Sequence, residues 1–260
     1  MIPYFQIITF ELGPLTINIW GVFVSLGFLA AVSVAYRRAR SLGLDEDALL
    51  QLAIWLIIAG FLGARIFYAL NEWDQFREDP WSILKIWQGG MAIYGGLICA
   101  ALAGGVFLRV KKLSFRRYAD VIALALPLGI GIGRIGCFFI HDHLGRVTQL
   151  PWGINTPEGI RHETAMYEAV FLFALFIGLW LIRNAVWIRS FPGRITLLFF
   201  GTYSAFRFFN DFLRATDLPG SDPVVWLGWH PSQFFALFSV VMSAALWYWW
   251  RDHGEGEGNI

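Results

Sequence analysis

Seven apolar stretches, each close to the length of a helix that crosses a bilayer, leave this chain one solvent to fold in. They fall at 16–36, 48–70, 88–108, 119–139, 165–187, 193–212 and 230–250. About 20 residues of helix cross roughly 30 Å of hydrocarbon, and inside lipid only helices or closed barrels satisfy their own backbone. Composition agrees: 57% of the 260 residues are apolar and 15% are charged, against about 25% charged in soluble domains. The expected fold is an all-α polytopic membrane protein of seven transmembrane helices, one membrane-embedded domain over 1–260. A net charge of +1 gives no footprint for nucleic acid. Cys99 and Cys137 both lie in apolar segments, which argues against a disulfide scaffold. The opening MIPYFQIITFELGPL lacks the basic flank and cleavage pattern of a signal peptide and reads as an interfacial segment leading into a retained first span.

Lysine and arginine collect at alternate ends of the spans. One end has Arg37, Arg38 and Arg40, then Arg109, Lys111, Lys112, Arg116 and Arg117, then Arg183, Arg189 and Arg194, and finally Arg251. The other has only Arg77, Lys85, Arg146, Arg161 and Arg214. The positive-inside rule then places the N-terminus outside and the C-terminus in the cytoplasm. Connections near 71–87, 140–164 and 211–229 fall on the outer side, where Trp73, Trp81, Trp87, Trp226 and Trp229 suit an interfacial aromatic belt.

Three arginines lie inside the spans themselves. Arg65, Arg134 and Arg207 each sit about five residues from an outward helix end, roughly 7.5 Å of rise. Intramembrane charge is costly and marks function by default. A single arginine can snorkel or secure a helix. Three at one depth, with few acids to neutralise them, favour an anionic partner, and the planar guanidinium fork suits phosphate oxygens. Tyr203, Arg207 and Asp211 are spaced i, i+4, i+8 and share one helix face. That spacing places Asp211 to orient Arg207 and Tyr203 to donate to a lipid oxygen.

Residues 133–146, GRIGCFFIHDHLGR, resemble the signature of the prolipoprotein diacylglyceryl transferase family, which is close to GRxGNFxNxExxGR. LGPLTINIWGVFVSLGF (12–28), GARIFYAL (63–70), GGMAIYGGL (89–97) and GTYSAFRFFNDFLR (201–214) are similar to further family elements in the same order. The resemblance implies a multi-pass enzyme of the bacterial cytoplasmic (inner) membrane, with its active site towards the outer leaflet. Such an enzyme transfers the diacylglyceryl group of phosphatidylglycerol to the lipobox cysteine of a prolipoprotein signal peptide, forming a thioether and releasing glycerol-1-phosphate. Phosphatidylglycerol, the prolipoprotein and membrane lipids are the implied partners, and no cofactor is implied. Motif position makes Arg134 and Arg207 the essential arginines and Tyr203 a functional tyrosine. Gly133, Gly136, Gly145 and Arg146 form the frame, and Asp211 stands at a glutamate position. Gly95, Gly96 and Trp20 join the implied substrate contacts.

The departures from the pattern are informative. Tyr94 replaces the histidine of HGGL, Cys137 and Ile140 replace asparagines, and Asp142 replaces glutamate with His141 and His143 beside it. RHETAMYE (161–168) keeps His162, Tyr167 and Glu168 of the HPxQxYE stretch, while a separate HPSQ occupies 230–233. A thiol must lose its proton near neutral pH, and imidazole is the ordinary acceptor. A phenol such as that of Tyr94, ordinarily of pKa about 10, hydrogen-bonds but is a poor base. His143 or His162, flanked by Asp142 or Glu163, is the expected replacement. His141, Asp142, His143, His162 and Glu163 also supply ligand types for a zinc-like site, though without a standard spacing, and no ligand is assigned. The alternative function is a non-catalytic or transport-type phospholipid-binding protein. Against it, charge is confined to one half of the spans, which suits a cavity more than a route across.

Overall fold

A computed structural model of the chain describes residues 2–85, 89–218, 221 and 223–253. Trp87 and the side chain of Arg251 lie outside the described residues. The chain is mostly helical: α1 (Ile19–Ser41), α2 (Glu46–Asn71), α3 (Trp73–Phe76), α4 (Ile93–Val110), α5 (Phe115–Ile140), α6 (Thr164–Ile182), α7 (Val186–Arg189), α8 (Arg194–Asn210) and α9 (Pro231–His253). Six of these, α1, α2, α4, α5, α6 and α9, are long and apolar enough to cross a membrane, as a polytopic membrane protein requires. The expected span 193–212 is shorter than it reads. Asp211–Leu213 tighten into a 3₁₀ turn and leave α8 with 17 residues, about 25 Å at 1.5 Å per residue.

The expectation of an all-α fold is corrected in the connections. β2 (Thr9–Leu12) and β3 (Leu15–Asn18) form an antiparallel hairpin where an interfacial segment and the start of a span were expected. Gly13 at φ +63, followed by the fixed φ of Pro14, suits a two-residue turn that folds one strand back on the other. The 140–164 connection supplies β4 (Leu144–Val147), β5 (Ile154–Thr156) and β6 (Gly159–Glu163). With β1 (Ile2–Pro3) they make a four-stranded sheet in the order β1-β5-β6-β4. Runs of two to five residues carry too weak a signal to be read as strands; backbone pairing across the sheet defines them.

Two compact parts divide the chain, residues 36–118 and the remainder. In the first, Asp45 caps α2 by accepting from the Ala48 N–H at 2.9 Å, satisfying an orphan donor. The seam between α2 and α4 is lined by small residues. A Cβ on Gly95 would fall 2.3 Å from the Phe67 Cβ, and one on Gly96 would fall 2.9 Å from the Gly60 carbonyl oxygen. Arg65, 4% exposed, donates to the carbonyls of Ser82 (2.8 Å), Ile83 (2.8 Å), Lys85 (3.3 Å), Gly90 (3.0 Å) and Gly89. It also lies over the Phe76 ring at 5.3 Å. Its donors are thus spent on tying residues 82–85 and 89–90 to α2, which is the securing role and not the anion-facing one.

In the second part α1 meets α5 closely enough that a Cβ on Gly27 would sit 2.4 Å from the Gly129 carbonyl oxygen. Asp120 of α5 caps α8, its carboxylate accepting from the N–H groups of Gly193 (2.7 Å) and Thr196 (2.8 Å). Leu29, Leu181 and Phe238 are exposed, as side chains facing lipid are.

Candidate active site

Glu168 lies one turn into α6 and is 1% exposed. Its Oε1 is 3.0 Å from Arg134 Nε, and its Oε2 is 2.5 Å from Arg207 Nη1. The Tyr203 hydroxyl donates to Oε1 at 2.6 Å. The C-terminal ends of α5 and α8 and the N-terminal turn of α6 therefore meet on one carboxylate. Asp211, fully buried, holds the other side of Arg207 with Oδ1 at 3.1 Å from Nε. Its Oδ2 accepts from Ser232 Oγ at 2.5 Å. The HPSQ turn closes this corner: Gln233 accepts from the His230 N–H at 2.9 Å and donates to the Phe208 carbonyl at 3.1 Å. Asp211 orients Arg207 as the helical spacing indicates. Tyr203 differs from expectation, because its proton goes to Glu168.

Two guanidiniums and two carboxylates balance in charge here, and breaking such a buried pair from one side costs about 3–5 kcal/mol. Nη2 of Arg134 and Nη2 of Arg207 have no hydrogen-bond partner among the described residues. Both side chains keep some exposure, 16% and 17%. Each arginine is pinned on one edge and open on the other, the arrangement a phosphate clamp needs.

Of the three candidate histidines only His143 faces this group. His141, at φ +50, ends α5 and turns its Nδ1 to Glu163 Oε2 at 2.7 Å, stacked beneath Tyr4. Burial holds the Glu163 carboxyl above the usual carboxylate range. His162 Nδ1 is 3.0 Å from the Tyr167 hydroxyl, which also accepts from Trp152 Nε1 at 3.1 Å. Burial pushes the His162 imidazole down. His143 is held by its own carbonyl, which accepts from Thr164 Oγ1 at 2.6 Å. Its Nδ1 lies 2.8 Å from the Asp142 carbonyl and 3.1 Å from Arg214 Nη2, and it can donate to the first or accept from the second but not both. One ring nitrogen of His143, an Asp142 carboxylate oxygen and Cys137 Sγ lie within 4.8 Å of one another. Arg134 Nη1 approaches the same sulfur at 3.8 Å. Burial, helped by the charges of Arg134, Arg214 and Arg207 against that of Asp142, lowers the His143 pKa and keeps its imidazole neutral near pH 7.

The frame residues have mechanical roles. A Cβ on Gly145 would lie 2.5 Å from the Leu213 carbonyl oxygen and 2.6 Å from the His162 Cβ, so only glycine lets β4 approach both. Arg161 donates to the Gly145 carbonyl at 3.1 Å and grips Asp217 with two bonds of 3.0 and 2.6 Å. Arg146 donates to the Arg214 carbonyl at 3.3 Å. On α5, Gly136 faces Trp20 and Phe23 of α1 at 3.2 and 2.9 Å from an added Cβ, while Gly133 leaves 3.8 Å to Val24. Tyr94 opens α4 in the 36–118 part, where Gly95 and Gly96 serve the α2–α4 seam. Sequence reasoning named Glu168, Cys137 and Arg214 but gave none of them a role in the site. For Glu168 the signal existed, since it is an acid inside an expected span, the kind of residue that calls for a partner.

The model of the prolipoprotein diacylglyceryl transferase family matches residues 7–249. The chain belongs to this family. It is 38% identical over 225 residues to the phosphatidylglycerol–prolipoprotein diacylglyceryl transferase of Geobacter sulfurreducens, covering 83% of this chain and 84% of the relative. Proteins of the same description from Trichormus variabilis and Listeria welshimeri are 35% and 34% identical, over 80% and 92% of this chain and 78% and 87% of the relatives. Membership gives a transferase setting to the paired arginines.

Proposed function

We propose that this chain transfers the diacylglyceryl group of phosphatidylglycerol to the lipobox cysteine thiol of a prolipoprotein. It does so as one seven-span domain of the bacterial cytoplasmic membrane. α8 is the short sixth span, and the distribution of lysine and arginine supports an external N-terminus, a cytoplasmic C-terminus and a site towards the outer leaflet. The observation that carries the reading is the pair Arg134 and Arg207, pinned by the single carboxylate of Glu168 with open N–H groups on the far edge of each. The lipid phosphate lies across those edges. Sulfur attacks the glycerol carbon, a carbon–sulfur bond forms, and the carbon–oxygen bond breaks with its electron pair remaining on phosphate. Arg134 and Arg207 stabilise that charge as it develops.

Asp211 and Tyr203 position the clamp through Arg207 and Glu168. Gly133, Gly136 and Trp20 shape the adjoining face of α1 and α5. Asp142 and Arg146 contribute to the same substrate site. His143 is the imidazole that serves the incoming thiol, and its position beside Cys137, Asp142 and Arg134 supports that choice over His162.

The test is direct. Purified protein given labelled phosphatidylglycerol and a lipobox peptide is expected to yield a thioether-linked lipopeptide and glycerol phosphate. Binding of lipid and peptide with no transfer, across varied pH and lipid composition, sinks the enzymatic reading in favour of a phospholipid-binding role.

A further inference from the structure

Several of this chain's departures from the family pattern gather in one place. Cys137 stands on the last turn of α5, Asp142 and His143 on the segment just beyond it, and their sulfur, oxygen and nitrogen donors lie within 4.8 Å of one another. We propose that Cys137, Asp142 and His143 bind a zinc-class divalent cation that takes the lipobox thiol as its fourth ligand and holds it as thiolate. The proposal rests on the transfer reaction above and revises one step of it, the activation of sulfur, in which His143 acts as a metal ligand instead of as the base.

The donor set suits the ion. Thiolate, imidazole and carboxylate are all zinc ligands, and three protein donors with an open fourth position are the arrangement of catalytic zinc. Bond lengths of about 2.0–2.3 Å place donors roughly 3.5 Å apart around a tetrahedron, so the trio closes by about 1 Å on binding. Cys137 is fixed on its helix, but Asp142 and His143 have side chains 36% and 29% exposed and can rotate to close the gap. Donation from His143 Nδ1 to the Asp142 carbonyl at 2.8 Å leaves Nε2 with its lone pair free, 3.9 Å from Asp142 Oδ2. A backbone carbonyl on the far nitrogen is the usual support of a metal-binding histidine.

Charge points the same way. Two anionic ligands and a bound thiolate exceed the +2 of the ion by one. Arg134, with Nη1 3.8 Å from the Cys137 sulfur, offsets that excess. Of the ligands the sequence had offered, Asp142 and His143 remain. His141 is bound to Glu163 and His162 to Tyr167, and Cys137 enters in their place.

The chemistry balances without redox change. On binding, the substrate thiol loses its proton to solvent, because coordination lowers a thiol's pKa far enough to ionise it. The metal-held sulfur attacks the glycerol carbon, and the leaving phosphate oxygen keeps the electron pair of the broken bond between the arginines. With the cation bound, the ionisation of the thiol passes from the His143 imidazole to the metal that His143 helps to hold.

The full chain, purified without a polyhistidine tag or chelator, is expected to carry about one zinc per molecule by elemental mass spectrometry. Chelation is expected to abolish transfer, and zinc to restore it. Cobalt substituted for zinc is expected to give a sulfur-to-metal charge-transfer band in the parent. That band is expected to vanish in Cys137→Ser while the folded fraction, followed by gel filtration, is kept. Asp142→Asn and His143→Ala are expected to drop bound metal towards background, and His162→Ala to keep it. A metal-free parent that transfers at full rate in chelator overturns the metal site and leaves the transferase reading standing. Bound metal with no transfer under any condition does the reverse. Full metal content in all three ligand variants overturns the assigned ligands.

Discussion

Replacing Glu168 by glutamine separates the two jobs of the central carboxylate, pinning the arginines and neutralising them. The substitution keeps the shape and removes one negative charge. Arg207 retains Asp211 at 3.1 Å, so the guanidinium left without an anionic partner is that of Arg134, held at 3.0 Å in the parent. Breaking a buried pair from one side costs about 3–5 kcal/mol, and the 16% exposure of Arg134 places this case near the lower end. At about 2–4 °C per kcal/mol for a chain of this size, the melting temperature should fall by roughly 6–12 °C. A lipid phosphate resupplies the missing charge. Phosphatidylglycerol should therefore raise the melting temperature of Glu168→Gln more than that of the parent, recovering much of the loss. Diacylglycerol, with the same tails and no phosphate, should not. Transfer by the folded variant should fall by roughly tenfold, since a charged hydrogen bond worth about 1.5–3 kcal/mol no longer poses Arg134. The assay is thermal unfolding in neutral detergent with each lipid added in turn. An unchanged melting temperature, or equal protection by diacylglycerol, refutes the clamp as drawn.

Arg134→Ala and Arg207→Ala should each reduce single-turnover transfer by roughly 10- to 100-fold. Arg65→Ala should instead lower the yield of folded protein while leaving the rate per folded molecule nearly unchanged, because among the described residues Arg65 meets only backbone carbonyls and rings; equal loss of rate in all three would dissolve the distinction. His162→Ala should keep transfer within about threefold of the parent, since its ring is turned to Tyr167, and a loss comparable to that of His143→Ala would reinstate it as a reacting group. The Arg161 guanidinium holds the Asp217 carboxyl below the usual carboxylate range. A depressed carboxylate contributes stability above its unfolded value of about 4, and that contribution is lost as pH falls through the lower folded value. Amide exchange over 214–217, corrected for intrinsic rate, should quicken below that point in the parent, whereas Asp217→Asn should exchange quickly at neutral pH as well. Identical profiles would show that the pair does not hold this segment.

Much of this protein was fixed by its chain alone, because burial in lipid imposes a coarse code. Apolar runs near 20 residues must be helices, and charge inside them must be used. Arg134, Arg207 and the Tyr203–Arg207–Asp211 face were legible for that reason. The HDH triplet stood out as a polar knot closing an apolar run. Tertiary structure decided what each polar atom meets, which linear spacing does not encode. Arg65 and Arg134 look alike at similar depth, yet one is consumed by five backbone carbonyls and the other by Glu168, 34 residues away in sequence. His143 and His162 stood level as the expected base, with His141 behind them, until the fold gave Tyr167 to His162 and Glu163 to His141. Cys137 read as a lost asparagine until the end of α5 brought its sulfur to Asp142 and His143. The strands were hidden too, since pairing within a short sheet is a property of partners and not of segments. Hydrophobicity is additive along a chain and can be read there, whereas hydrogen bonds and ion pairs are settled between neighbours that only the folded chain creates.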